Sequence, residues 1–223
     1  MSSDDKDLIG VAVAGIFIII AIVTELRRKK TIPLTIQDVA LKLGLSVQTA
    51  EKDRLFHDYS FINRLQFDGK QHMLNALYGT YRKNTVTVFD MRYEPHDMWG
   101  TSKLDYYSFH MAELPKPFPE LTIYKEGLIS KLYQATEHND IDFESHEFSR
   151  KFRVRSDNPK FAYDFCNARM IEYLIENTDL SIEIDRNILC ISFEKPLNFE
   201  EVEGNLNRLL KIRSLMPDYL FSD

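Results

Sequence analysis

Residues 85–93 read TVTVFDMRY, and this stretch decides the fold class. It is rich in β-branched and aromatic residues, a composition typical of a β-strand. Residues 106–114, YYSFHMAEL, predict a second strand, and residues 121–124 predict a short third one. Prolines at alternate positions in 115–119 predict an extended connection between these two strands. The middle of the chain is therefore expected to be a β-sheet.

The C-terminal half adds helices to this sheet. Asn158 is placed to cap a helix with Pro159 at its first position, and apolar residues recur at helical spacing to about Asn177. Residues 181–185 alternate, and the chain is expected to turn at Arg186-Asn187 and return as residues 188–193, which predicts a β-hairpin.

Three further helices are expected. They are Ile36 to Leu43, stopped by Gly44, then Glu126 to Gln134, and a last helix capped by Asn198. Short turns join most of the strands, which argues against a parallel, doubly wound sheet. The sequence predicts an α+β domain with a mostly antiparallel sheet and helices packed on one face.

The first apolar cluster is LIGVAVAGIFIIIAIVT, residues 8–24, with no charge and no proline. It predicts a single transmembrane helix. A buried core helix would carry a polar face, and a cleaved signal peptide would have a basic start, whereas this chain begins with an acidic segment. The span is marked by Leu8, Gly10, Gly15, Ile19 and Thr24.

The charges beside the span predict its orientation. Arg27, Arg28, Lys29 and Lys30 follow it directly, and basic flanks stay in the cytoplasm. We therefore expect a single-pass protein of the inner cell membrane with its N-terminus outside. Residues 1–30 are the anchor and its flank, and residues 31–223 are the cytoplasmic domain. Gly10 and Ala14 form a small-xxx-small pair on which two anchors could associate as a homo-oligomer.

The charge of the domain limits its partners. Residues 31–223 carry 23 basic and 30 acidic side chains, a net charge of about −7. An acidic domain lacks the basic footprint of a nucleic-acid binder, so no nucleic-acid partner is expected. The lipid bilayer is expected to be contacted through the N-terminal helix, and the other partner is expected to be a protein.

No motif supports an enzyme. The sequence has no phosphate-binding glycine loop, no nucleophile elbow and no zinc spacing among its six histidines, so we expect no catalytic residue, metal or cofactor. Cys166 and Cys190 lie in apolar stretches and are expected to be buried thiols. Residues 38–49 are similar to a helix-turn-helix, although the second helix would carry as many acidic as basic residues.

Two groups of polar residues are candidates for a binding site. One lies on the predicted central strands and the other lies in the acidic run that precedes residue 152. Either group could line a ligand pocket, and either could serve packing and ion pairing instead. The candidate residues are Asp90, Tyr93, His110, Asp140, Asp142, His146 and Arg150.

The stretches VTVFDMRY at 86–93 and DIDFESHEFSRKF at 140–152 carry a resemblance to a family. With residues 43–45, they resemble uncharacterised bacterial membrane-anchored proteins that are catalogued as a domain of unknown function. The resemblance covers most of residues 36–210 and implies a membrane-tethered cytoplasmic α+β domain. It implies no activity or cofactor. This chain departs from the family pattern at Met91 and at His146-Glu147.

Three hypotheses about function follow. The first is a membrane-tethered interaction or scaffold module without catalytic activity. The second is a small-ligand sensor or an enzyme without a recognised motif, with its pocket at one of the two polar groups. The third is a membrane-tethered DNA-binding regulator.

Overall fold

The computed structural model describes residues 34–48, 59–63, 69–95, 104–125 and 140–222. The chain divides into two units, residues 1–35 and 36–223, and nearly all the described residues belong to the second. The predicted membrane span, its basic flank and the helix expected at 126–134 lie outside the described residues, so they stay predictions. In the described part of the chain, no helix has the length and apolar character needed to cross a membrane.

The described elements comprise short helices and six strands. The helices are α1 (Ile36–Leu43), α2 (Ser60–Asn63), α3 (His146–Lys151), α4 (Pro159–Phe165), α5 (Ala168–Glu176) and α6 (Val202–Leu215), with a final 3-10 turn at Asp218–Leu220. The strands are β1 (Ser46–Val47), β2 (Gly69–Tyr81), β3 (Asn84–Pro95), β4 (Asp105–Lys125), β5 (Phe152–Ser156) and β6 (Ser181–Phe193).

One sheet contains all six described strands, and β4 lies at its centre. The order β1-β2-β3-β4 is antiparallel throughout, with β3 on the first half of β4 and β5 on the second half. Strand β6 pairs along the other edge of β4 over both halves. The longer helices pack on one face of this sheet, which confirms the predicted α+β class with a mostly antiparallel sheet.

The proline-rich segment 115–119 lies inside β4 and does not separate two strands. Ala112 and Leu114 face the helix-covered core in the first half of β4, and Leu121 and Ile123 do so in the second half. A change from even to odd positions needs a bulge, and the β4–β6 register shifts between Glu113 and Leu121. The bulge lets both halves of one strand cover the same core.

The hairpin predicted within 181–193 is wrong, because β6 is one continuous strand of 13 residues. Arg186 does adopt the left-handed backbone conformation expected of a turn, with φ of 54°. There it forms a bulge opposite Phe118 of β4, and the buried alternation passes from Ile184 to Leu189 across it. The positive φ bends the strand and does not reverse it.

The helix predicted from Asn158 to Asn177 begins as expected and then breaks in the middle. The Asn158 side chain accepts a hydrogen bond from the Phe161 N–H at 3.0 Å. The helix stops at Phe165, and Asn167 caps a new helix by accepting from the N–H groups of Arg169 and Met170. A second capping side chain therefore divides one periodic stretch into α4 and α5.

The described part of the stretch that is similar to a helix-turn-helix forms helix α1 and then strand β1. Helix α1 ends at Gly44, whose φ of 67° is the left-handed stop expected there. The Leu45 N–H closes the helix end on the Ala40 carbonyl at 2.9 Å. Where the motif requires a recognition helix to begin, the structure has strand β1, which pairs with Leu77 and Tyr78.

The β4–β6 ribbon bends sharply enough to bring the two ends of β6 together. A straight strand of this length would span about 40 Å. Asp179, just before β6, nevertheless forms an ion pair with Arg208 of α6. Phe193, the last residue of β6, has its ring centroid 5.8 Å from the same guanidinium. This closure positions a cleft that is described below.

Candidate functional site

The structure places the candidate residues in two separate regions. Asp90 and Tyr93 lie on β3, and His110 lies on β4 opposite Val88; all three side chains are buried. Asp140 and Asp142 precede α3, and His146 and Arg150 lie on it, and these four residues are exposed. The two regions do not form one pocket.

Asp90 holds two parts of the sheet together. Its Oδ1 accepts hydrogen bonds from the Asn75 backbone N–H at 3.0 Å and from the Asn75 Nδ2 at 2.9 Å. Its Oδ2 accepts from the Leu197 N–H at 3.1 Å, in the segment that leads into α6. Asn75 follows the bulge in β2, so this carboxylate fixes an irregular strand and a distant connection at once.

His110 is enclosed in the centre of the sheet, with none of its surface exposed. Neither ring nitrogen has a hydrogen-bond partner among the described residues. Burial, together with the nearby cations Arg208 and Lys195, lowers its pKa from 6.5 to about 3. The edge of its ring meets Phe193 at 5.8 Å. A neutral, enclosed imidazole of this kind cannot serve as a surface acid or base.

Asp140 joins the segment before α3 to the edge of the sheet. Its Oδ1 accepts a hydrogen bond from Arg155 Nε at 2.6 Å, and its Oδ2 lies 3.7 Å from Arg153. A β-bridge to Arg155 adds backbone pairing. No group of three metal-ligating side chains occurs within the described ranges.

The two cysteines offer no nucleophile at the surface. Cys166 and Cys190 are free and buried, and burial raises the pKa of both thiols. A thiol with a raised pKa stays protonated at neutral pH and reacts slowly. Both residues therefore serve as small apolar core groups, as expected from their neighbours in the sequence.

A different feature stands out on the surface, and sequence reasoning missed it. Aromatic side chains from four separate segments form a contiguous patch, which we call the aromatic surface. It consists of Phe118, Phe143, Tyr163, Tyr219 and Phe221, and Phe161 lies beneath it. Tyr163 and Tyr219 are 51% and 59% exposed, which is high for large rings.

Ring contacts join its members into two groups. Phe143 meets Tyr163 at 5.1 Å, and Phe118 meets both Phe161 and Phe221 at 5.6 Å. Such edge-to-face and offset arrangements stabilise aromatic clusters by about 0.5–1.5 kcal/mol per pair beyond the area they bury. Tyr219 connects the two ends, because its hydroxyl donates to Asp164 beside Tyr163 at 2.9 Å.

The exposed rings are held in place before any partner arrives. The Tyr163 hydroxyl donates to the Asp142 carbonyl at 3.2 Å, and the Tyr219 hydroxyl is tied to Asp164. Lys116 Nζ donates to the Ser222 carbonyl at 2.6 Å and fixes the C-terminal turn. Tethered rings lose little conformational freedom on binding, which favours association.

The aromatic surface has the composition of a protein-binding site. Large rings at its centre are surrounded by charged groups such as Lys160 and Asp164, with Arg213 beside Phe221 at 6.0 Å. Tyrosine and phenylalanine are enriched at interface centres, whereas catalysis needs clustered acids, bases or nucleophiles. This arrangement suits burial against another macromolecule.

The fold defines an α+β domain with a bent antiparallel sheet, and one solved structure shares it. The chain matches no protein-family model and no curated protein. The crystal structure of the mycobacterial trehalose monomycolate transport factor A, TtfA, is similar, with a TM-score of 0.57 and 12% sequence identity. The match covers 81% of this chain and 93% of that chain. At this identity the likeness concerns the fold alone.

Proposed function

We propose that this protein is a membrane-tethered interaction module that binds a protein partner through the aromatic surface. Residues 8–24 anchor it in the inner membrane, and residues 31–223 form its cytoplasmic part. The tether concentrates the domain at the membrane, so a partner in the same membrane is met at high effective concentration.

The observation that carries the proposal is the exposed, pre-ordered aromatic surface. Patches of this kind are uncommon on monomeric proteins and usually mark binding sites. The polar residues considered for a ligand pocket on the central strands give no competing site, because Asp90 is enclosed by structural hydrogen bonds and His110 is buried and neutral.

The structural neighbour and the family resemblance support the same form of function. TtfA is named a transport factor. Under our proposal this chain serves a membrane process through a partner, without chemistry of its own. The resemblance to membrane-anchored proteins of unknown function is part of this proposal, since it implies a tether and no activity.

The test is a pull-down of the full-length protein from its own membranes in mild detergent, with quantitative mass spectrometry. A Tyr163→Ser, Tyr219→Ser double variant removes both exposed rings. Tyr78→Ser is the matched control, because Tyr78 is 46% exposed on β2, away from the aromatic surface. Each central ring contributes about 2 kcal/mol or more at an interface, so we expect at least a tenfold loss of partner.

The control variant should retain its partner. A protein captured equally by the wild type and by the double variant would contradict the role of the aromatic surface. Absence of any enriched protein in the wild type would contradict the interaction module itself. Circular dichroism and melting temperature should show that the double variant is folded.

A further inference from the structure

The bend in β6 creates a cleft of about 350 Å³ between the two ends of that strand. Asp179 and Ser181 line it from one end, and Phe193, Glu194 and Lys195 line it from the other. Its volume lies at the lower end of the range for small-molecule sites, about 300–1,000 Å³. The cleft shares no residue with the aromatic surface.

Ion pairs fix two of the charged side chains that line the cleft. Asp179 is held by the Arg208 guanidinium, whose hydrogen bond lowers the pKa of that carboxyl. Lys195 Nζ lies 2.6 Å from Glu201, and this ammonium lowers the pKa of the Glu201 carboxyl. Both cations also lie over the Phe193 ring, at 5.4 Å and 5.8 Å from its centroid. These contacts hold the ring and its charged neighbours in one arrangement.

Two further charges of opposite sign lack an ion-pair partner among the described residues. Lys125, at the end of β4, contributes an ammonium, and Glu194, directly after β6, contributes a carboxylate. With the fixed pairs included, the charges around the cleft sum to zero. A polyanion would be repelled by Asp179 and Glu194, and a polyamine would be repelled by Lys125 and Lys195.

We propose that this cleft binds a small zwitterion, a free amino acid or short peptide with an apolar side chain. The ligand's ammonium group pairs with Glu194 and its carboxylate pairs with Lys125. Leu180 and the Phe193 ring supply an apolar wall for the side chain, and the Ser181 hydroxyl is a further hydrogen-bonding group. Because the cleft shares no residue with the aromatic surface, this site is independent of the proposed partner surface.

The test is the thermal unfolding of the full-length protein in mild detergent with each of the common L-amino acids at about 10 mM. A ligand at ten times its Kd should raise the melting temperature by about 3–5 °C. Capped forms separate the two charges, because N-acetyl-L-phenylalanine lacks the ammonium group and L-phenylalaninamide lacks the carboxylate. We expect free apolar amino acids to bind, and both capped forms to bind at least tenfold more weakly.

Two variants assign the binding to the cleft. Glu194→Gln and Lys125→Gln should each weaken binding tenfold or more, because each removes one charge partner of the ligand. Glu200→Gln and Lys160→Gln change exposed charges outside the cleft and should bind like the wild type. Absence of a shift with every amino acid, equal binding of capped and free forms, or wild-type binding by both cleft variants would overturn the proposal.

Discussion

Replacement of His110 by Leu is expected to remove much of the acid sensitivity of this fold. His110 is fully buried, and its pKa in the folded protein is lowered from 6.5 to about 3. In the unfolded chain an imidazole titrates near its ordinary value of about 6.5. Because the folded-state pKa is the lower of the two, the unfolded chain binds the proton first. Stability therefore falls as the pH drops below 6.5 and stops falling near 3.

The size of this effect follows from the two pKa values. Each pH unit inside the window costs about 1.4 kcal/mol, so the step from pH 7.5 to pH 5.0 costs about 2 kcal/mol. For a chain of 223 residues, this loss lowers the melting temperature by about 4–8 °C. Leucine has a similar volume and no polar atom. At pH 7.5 the unfolding free energy of the variant should equal that of the wild type or exceed it by about 1–3 kcal/mol, because the variant buries no unpaired ring nitrogen.

The assay is urea and thermal unfolding of the full-length protein, followed by circular dichroism at pH 7.5 and pH 5.0. His146→Gln is the matched control, because it removes an exposed imidazole at the start of α3. The carboxylates contribute equally to the pH dependence of all three proteins. The difference in acid-induced loss of stability between the wild type and His110→Leu therefore reports His110 alone. A His110→Leu variant that loses as much stability in acid as the wild type would refute the buried, neutral imidazole.

Three other predictions concern Asp90, Lys83 and the two cysteines. Asp90→Asn should lower the unfolding free energy by about 2–3 kcal/mol in urea titrations. The asparagine amide cannot accept a hydrogen bond from every N–H that now donates to the carboxylate, including that of Leu197. An unfolding free energy within about 0.5 kcal/mol of the wild type would count against this. Lys83→Gly should raise the unfolding free energy by about 1 kcal/mol in the same titration. Lys83 has φ of 66° in a two-residue hairpin loop, a backbone conformation that suits glycine. A destabilised variant would show that contacts of the lysine side chain compensate for the strained backbone. Cys166 and Cys190 should react with a thiol reagent only after unfolding in urea, since burial raises both pKa values; rapid labelling of the native protein would disprove their burial.

The sheet was predictable where the local composition favours a strand. Residues 85–93 and 106–114 are rich in β-branched and aromatic residues, and they form β3 and the first half of β4. Strand β2 was missed because its sequence, GKQHMLNALYGTY, has two glycines and a bulge after Met73 that interrupts the alternation. Pairing with β3 overrides this low local propensity.

The turn at Arg186 shows a limit of local reasoning. A hairpin and a bulge both use a residue with positive φ, so the sequence around residue 186 is compatible with either. Strand β4 determines that a bulge forms here, because it pairs with both halves of β6 and leaves no room for the chain to reverse. That partner lies more than 60 residues away in the chain, where no local pattern reports it.

The aromatic surface could not be predicted for a related reason. Its rings come from positions 118, 143, 163, 219 and 221, which lie in four segments far apart in the sequence. No helical or strand periodicity connects one of these segments with another. Only the packing of α4 and the C-terminal turn against β4 brings them together. Buried positions such as Asp90 were recognised as notable residues, but their role became clear only from their hydrogen bonds.

The central place of β4 has a consequence for how the protein is made. Ser108 of β4 pairs with Phe193 of β6, so one whole edge of the longest strand stays without its partner until nearly the full chain has been synthesised. At about 5–20 residues per second, this interval lasts roughly 4–17 seconds. The open edge, residues 108–123, is a template for wrong pairing with neighbouring chains during that time. Expression at low temperature or with added chaperones should therefore improve the yield of folded protein more than it does for a domain built from local contacts.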